Sequence, residues 1–187
     1  MHDDPGDAPR WLTHGERTLY DNPWVRLTQV DVEAPDGARW WHHVVRLQTM
    51  AVALVLDDHD RVLMLWRHRF VPDTFGWELP GGIVGSDETG LAAAVRETEE
   101  ETGWRPTGEA QLLVAFEPMP GLVSTRHEVY LMRGAKYVSE PTDAQEAGHV
   151  AWVPLRSVPE LTMRGKIAGS GSLVGLLYVL ASRQIEH

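Results

Sequence analysis

A chain of 187 residues with 43% apolar and 24% charged residues has ordinary globular composition and enough length for a sizeable core. It has no cysteine, which excludes a disulfide framework or thiolate metal site and fits a reducing compartment, expected here to be the cytoplasm. The formal charge of -10, with no basic patch, argues against nucleic acid as a partner, and an anionic phosphate ester would need a bridging cation.

Met1 to Arg10 is polar and is expected to be a flexible tail, with 11–187 forming one domain: a strand lead-in over 11–48 and a core over 49–187. Trp24 to Val32 alternates like a strand, Pro35-Asp36-Gly37 predicts a turn, and Arg39 to Leu47 returns as a second strand. Met50 to Leu56 is a near-continuous apolar run and reads as a buried strand. After the polar turn Asp57 to Asp60, strands follow at Val62 to Trp66 and Phe75 to Leu79. A helix comes next, with Ser86 or Asp87 as its cap and acids in its first turn. Gly103 and Pro106 stop it. Further strands are expected at Gln111 to Glu117, Glu128 to Met132 and His149 to Val153. A last helix, capped by Ser172, runs from Leu173 to about Ser182. The apolar stretch Leu173 to Ala181 is too short to span a bilayer, so no membrane contact is expected. The order predicts a mixed α/β domain of the α+β type: a mixed sheet between helices, with an N-terminal antiparallel strand lead-in.

The chemistry concentrates in the first helix. At about 100° per residue, Glu97, Glu100 and Glu101 fall on one stripe, beside an apolar stripe of Leu91, Val95, Thr98 and Thr102. Arg96 is expected on the other side, and no cation is expected at four-residue spacing along the acids. Three carboxylates near a helix C-terminus repel one another and oppose the macrodipole, at about 0.3–1 kcal/mol for each fault. A bound hard cation such as magnesium would account for them, and a solvated acidic face remains the other reading.

Gly82, Glu88, Arg96-Glu97, Glu100-Glu101 and Gly103, followed by Trp104, resemble the Nudix box at every fixed position; Thr98 stands where that family prefers an apolar residue. The resemblance implies that Glu97, Glu100 and Glu101, with the carbonyl of Gly81, hold Mg2+, with Mn2+ as a substitute. It implies that Arg96 orients the glutamates and that Glu88 steadies the start of the helix.

Outside the box the chain is similar to the ADP-ribose pyrophosphatases and related nucleotide-sugar hydrolases. The similarity rests on a two-stranded lead-in, on Trp77-Glu78-Leu79-Pro80-Gly81-Gly82, and on Pro120 lying 16 residues beyond Trp104. Arg67-His68-Arg69 stands where that branch carries a Gln-aromatic-Arg segment, and the acid usual soon after the proline comes late here, at Glu128. The resemblance implies Arg69 as a phosphate or ribose contact, Pro120 and the lead-in residues Trp24 and Trp41 as substrate contacts, and Glu146 as a catalytic carboxylate alongside Glu97 and Glu101. Read without it, Arg69 is a surface charge, Glu146 a solvated loop acid, and a strand tryptophan is more often core or interface.

The expected activity is hydrolysis of the pyrophosphate bond of a nucleoside diphosphate derivative, ADP-ribose or a nucleotide sugar, in a homodimer built through the lead-in. The alternatives are a housecleaning enzyme for nucleoside triphosphates and a non-catalytic nucleotide sensor; the latter would usually have lost box glutamates.

Overall fold

In the computed structural model, which describes residues 8–142 and 148–185, the chain divides into two compact units. The first runs to Gln48 and takes in Met119–Thr125; the second holds Thr49–Pro118 and the residues from Arg126 onward.

The first unit, among the described residues, contains only strands. β1 (Leu12–Asp21), β2 (Arg26–Glu33) and β3 (Arg39–Arg46) form an antiparallel meander. The expected two-stranded lead-in thus has a third strand ahead of it. β1 escapes a periodicity search because all ten of its residues are exposed, so neither face carries an apolar stripe. The turn between β2 and β3 falls at the expected place, with Gly37 at φ 85°, where a side chain would be strained. Charged pairs bind the strands across their exposed faces: Arg39 to Asp31 at 2.8 Å and Arg46 to Glu16 at 2.7 Å.

In the second unit, β4 (Met50–Leu56) and β5 (Arg61–Arg69) are central strands. β6 (Thr74–Glu78) pairs with β5 and β7 (Gly81–Ile83) with β4. Helix α1 (Gly90–Thr102) is followed by β8 (Trp104–Pro106) and β9 (Ala110–Phe116). The short β10 (Val123–Ser124) belongs to the first unit, where it lies parallel to β3. β11 (His127–Arg133), β12 (Ala135–Tyr137) and β13 (His149–Pro154) lead to a 3-10 turn (Leu155–Ser157), α2 (Val158–Met163) and α3 (Ser170–Ile185). The main sheet runs β13-β5-β4-β11-β9, with β11 parallel to β4 and the other neighbours antiparallel; β8 and β12 pair separately.

The continuous apolar run of β4 follows from its two buried faces. Ala51, Ala53 and Val55 pack with Ala93 and Ala94 of α1, while Val52, Leu54 and Leu56 pack with Leu176 and Val179 of α3. The mixed sheet therefore lies between α1 and α3, as the sequence predicts. None of the helices is long and apolar enough to cross a membrane, among the described residues.

Three local expectations are corrected. Helix α1 is capped by Thr89, whose hydroxyl accepts the Ala92 N–H at 3.2 Å, not by Ser86 or Asp87, and its first turn holds no acid. Asp87 and Glu88 lie before the cap, in the loop that leads into it. Ser172 lies inside α3, and its hydroxyl accepts the backbone N–H of Leu79 at 2.9 Å instead of capping the helix. On α1 the buried stripe is Ala93, Ala94, Thr98, Glu101 and Thr102, with Leu91 and Val95 only half-buried. Thr98 is tolerated in that stripe because its hydroxyl bonds back to the Ala94 carbonyl at 2.6 Å, leaving no unmet polar group.

Candidate active site

Helix α1 lies against β7 and β4, and the Gly81-Gly82 pair makes that approach close. A Cβ on Gly82 would lie 2.3 Å from Glu97 Oε1, and one on Gly81 would lie 2.4 Å from the Ala51 carbonyl oxygen. The bare Gly82 lets the Glu97 carboxylate reach the strand, and the bare Gly81 lets β7 lie close against β4. Gly103 then ends the helix at φ 74°, donating its N–H to the Glu99 carbonyl.

Glu97, Glu100 and Glu101 are shared between Arg96 and Arg67. Arg96 Nη1 donates to Glu97 at 2.7 Å and to Glu100 at 2.8 Å, while its Nη2 donates to Glu88 at 2.7 Å. The expectation that Arg96 points away from the acids, with no cation at four-residue spacing, is therefore wrong: Arg96 and Glu100 are that pair, and the long guanidinium folds over the stripe. Glu88 also accepts the Gly85 N–H at 2.9 Å, and Arg96 and this backbone bond hold its carboxyl below the ordinary range. These bonds tie the loop before the helix to its second turn.

Glu101 departs from its neighbours because it is 1% exposed. Its Oε2 accepts the Gly81 N–H at 2.9 Å, and its Oε1 accepts Arg67 Nη1. Arg67, itself buried on β5, also donates through Nε to Glu78 at 2.9 Å, and Arg69 reaches the same Glu78 oxygen at 2.8 Å. Burial would raise the Glu78 carboxyl, but Arg69 and Arg67 outweigh it and hold it below the usual carboxylate range. Breaking one partner out of such a buried set costs about 3–5 kcal/mol. Sequence reading selected Arg69 and missed Arg67 and Glu78. The signal was an arginine in the inward-facing register of an apolar strand, two residues from Leu65, where a charge must have a partner.

The donors here are hard carboxylate oxygens, which suit a divalent cation. Among the described residues, the carboxylates of Glu78, Glu88, Glu97, Glu100 and Glu101 share the guanidiniums of Arg67, Arg69 and Arg96. Among the described residues no three His, Asp or Glu side chains are already gathered as a ready metal cage, because each box glutamate is turned onto an arginine. A metal would therefore engage the set by sharing these oxygens.

Of the other residues singled out by sequence, Trp24, Trp41 and Pro120 lie in the first unit. Trp24 is exposed and borders a hollow of about 280 Å³ with Arg26 and Arg46. Trp41 carries the Arg17 guanidinium 4.5 Å above its ring. Pro120 opens the turn closed by the Val123 N–H on the Met119 carbonyl at 2.9 Å. Glu146 lies outside the described residues. The segment that leads to it is anchored at Thr142, whose N–H donates to the Glu100 carbonyl at 2.9 Å. Glu128 sits beneath Gly90 at the start of α1, bonded to the Tyr130 hydroxyl at 2.7 Å and to Arg126 at 2.9 Å. Burial and that bond push the Tyr130 hydroxyl up to about 12.

The model of the NUDIX domain matches residues 46–169, which span the glycine pair, α1 and the segment leading to Glu146. The chain belongs to the Nudix domain family. It is 44% identical, over 91% of its length and 82% of the relative's, to a CMP-5'-(N-acetyl-N-hydroxy-3-aminopropyl)phosphonate hydrolase of Streptomyces rubellomurinus. It is 27% identical to an ADP-ribose pyrophosphatase of Mycobacterium tuberculosis, over 90% of this chain and 83% of that one. In fold it matches a crystal structure of an ADP compounds hydrolase with a TM-score of 0.79, at 16% identity and over 95% and 96% of the two chains. The protein is thus a Nudix pyrophosphohydrolase similar to the ADP-ribose pyrophosphatases, a family whose members generally use a divalent metal.

Proposed function

We propose that this Nudix enzyme uses Mg2+, replaceable by Mn2+, to hydrolyse the anhydride joining a nucleoside monophosphate to a second, substituted phosphorus acid. The observation that carries the reading is that Glu97 and Glu101 close on the side-chain-free Gly81-Gly82 pair, with Glu100 tied to Glu97 through Arg96. Two relatives support the substrate class: one is named for a CMP phosphonate and one for ADP-ribose, and both names describe a nucleoside monophosphate carried on a second group.

Glu97, Glu100, Glu101 and the Gly81 carbonyl would hold the metal. When bound, it neutralises phosphate oxygens and lowers the pKa of the attacking water. Arg96 keeps Glu97 and Glu100 on the same side of the helix. Arg69, 39% exposed at its side chain, orients a substrate phosphate, and Glu146 takes the proton of the attacking water. By resemblance to the family, Trp24, Trp41 and Pro120 are taken as further substrate contacts, the tryptophans by stacking on a base. A panel of ADP-ribose, CDP- and UDP-linked sugars, a CMP phosphonate and nucleoside triphosphates, run with Mg2+ and scored by products, tests the assignment. The expected best substrates release a nucleoside monophosphate; a triphosphate as the best substrate by kcat/KM, with the diphosphate derivatives untouched, would overturn it.

We further infer that the enzyme is a homodimer joined through the first unit. β1 is an edge strand with every residue exposed, and Trp11, Leu12, Leu19 and Tyr20 are each about half exposed on it and beside it. Light scattering should give twice the chain mass, and substituting Leu12 and Leu19 by Lys should give a monomer. A monomeric wild-type protein at micromolar concentration would count directly against this reading.

A further inference from the structure

Arg96 and Arg67 hold the box glutamates in different ways. Arg96 is 38% exposed at its side chain, so it can swing toward water when another cation takes Glu97 or Glu100. Arg67 is 4% exposed and pinned between Glu78 and Glu101, so its charge stays where it is. Both oxygens of Glu101 already accept a donor, Arg67 Nη1 on one and the Gly81 N–H on the other. Each carboxylate oxygen has more than one lone pair, so one carboxylate can serve a guanidinium and a metal together.

We propose that Arg67 is a positioning residue that serves as the resident counter-cation of Glu101: it fixes this carboxylate toward Gly81 and, by standing beside the entering metal as a like charge, sets how tightly that metal binds. The inference rests on the reading of Glu101 as a metal ligand. Two cations sharing one buried carboxylate repel each other strongly in a medium of low polarity. The arrangement keeps Glu101 ordered and compensated without metal, in exchange for weaker metal binding. Removing the charge while keeping a hydrogen-bond donor should therefore tighten the metal site and make the fold lean on it.

The test measures Mn2+ binding to the metal-free enzyme by calorimetry at low temperature for the wild type, Arg67→Gln, Arg67→Lys and Glu101→Gln. Arg67→Gln should bind Mn2+ at least about fivefold more tightly, and saturating Mg2+ should raise its Tm more than that of the wild type. Arg67→Lys keeps the charge and should bind within about twofold of the wild type. A merely structural role would lower the metal-free Tm of Arg67→Gln and leave its affinity alone. If Glu101→Gln binds Mn2+ as the wild type does, the underlying assignment of Glu101 fails. If Glu101→Gln loses binding but Arg67→Gln binds no more tightly than the wild type, only the role of Arg67 fails. Should Arg67→Gln not fold, the wild type decides: the buried Arg67 Nε–H resonance must shift on addition of Mg2+, and an unmoved resonance overturns the proposal.

Discussion

Glu101→Gln should lower kcat by about 10²-fold or more, the largest effect expected from any single substitution in the box. The replacement is nearly isosteric, so it removes a charge and leaves the packing against β7 in place. It also has a structural cost that the fold makes explicit. Glutamine can still accept the Gly81 N–H with its oxygen, but its amide nitrogen then faces Arg67 Nη1, donor against donor. One unmet buried donor costs about 1–3 kcal/mol, so a lower Tm should accompany the loss of turnover. The two effects separate by measurement: circular dichroism and Tm report the fold, and kcat at saturating Mg2+ on the folded enzyme reports the ligand. Near-normal kcat in the folded variant would remove Glu101 from the metal set.

Glu146→Gln should lower kcat by roughly 10²–10⁴-fold with little change in metal affinity, as expected for loss of a general base. In the proposed site Glu97, Glu100 and Glu101 are committed to metal and arginine, which leaves the proton of the attacking water to another carboxylate. Glu128 is a poor substitute. It lies under Gly90, seven residues before Glu97, which is about 10 Å along the helix axis, and it is already bonded to Tyr130 and Arg126. Thr142, the last described residue before Glu146, donates its N–H to the Glu100 carbonyl of α1. A groove of about 760 Å³ is bordered by Arg96, Glu100, Ser139 and Thr142. Comparing Glu146→Gln with Glu128→Gln decides the matter. A silent Glu146→Gln beside an impaired Glu128→Gln would reverse the assignment, and a Glu146→Gln loss repaired by extra Mg2+ would make Glu146 a metal ligand.

Local pattern determined much of this protein. The apolar run of β4 announced a strand buried on both faces because residues alternate between the α1 and α3 sides. The spacing of Glu97, Glu100 and Glu101 put three carboxylates within reach of one another, since three- and four-residue steps share a helix face. Gly103 marked the end of that helix because only glycine takes a left-handed turn without strain. The tertiary structure decided what joins residues far apart in the chain. β10 was invisible because two residues carry no period and are defined only by their pairing with β3. Thr89 won the cap from Ser86 and Asp87 because the loop bonds of Glu88 fix where the helix can begin. The sequence put Glu101 on an acidic stripe with Glu97, as a metal ligand or a solvated acid. Glu101 is buried because Arg67, 34 residues away on β5, supplies the opposite charge there. A buried ion pair has no periodic signature: each half is legible only once the fold has set its partner beside it.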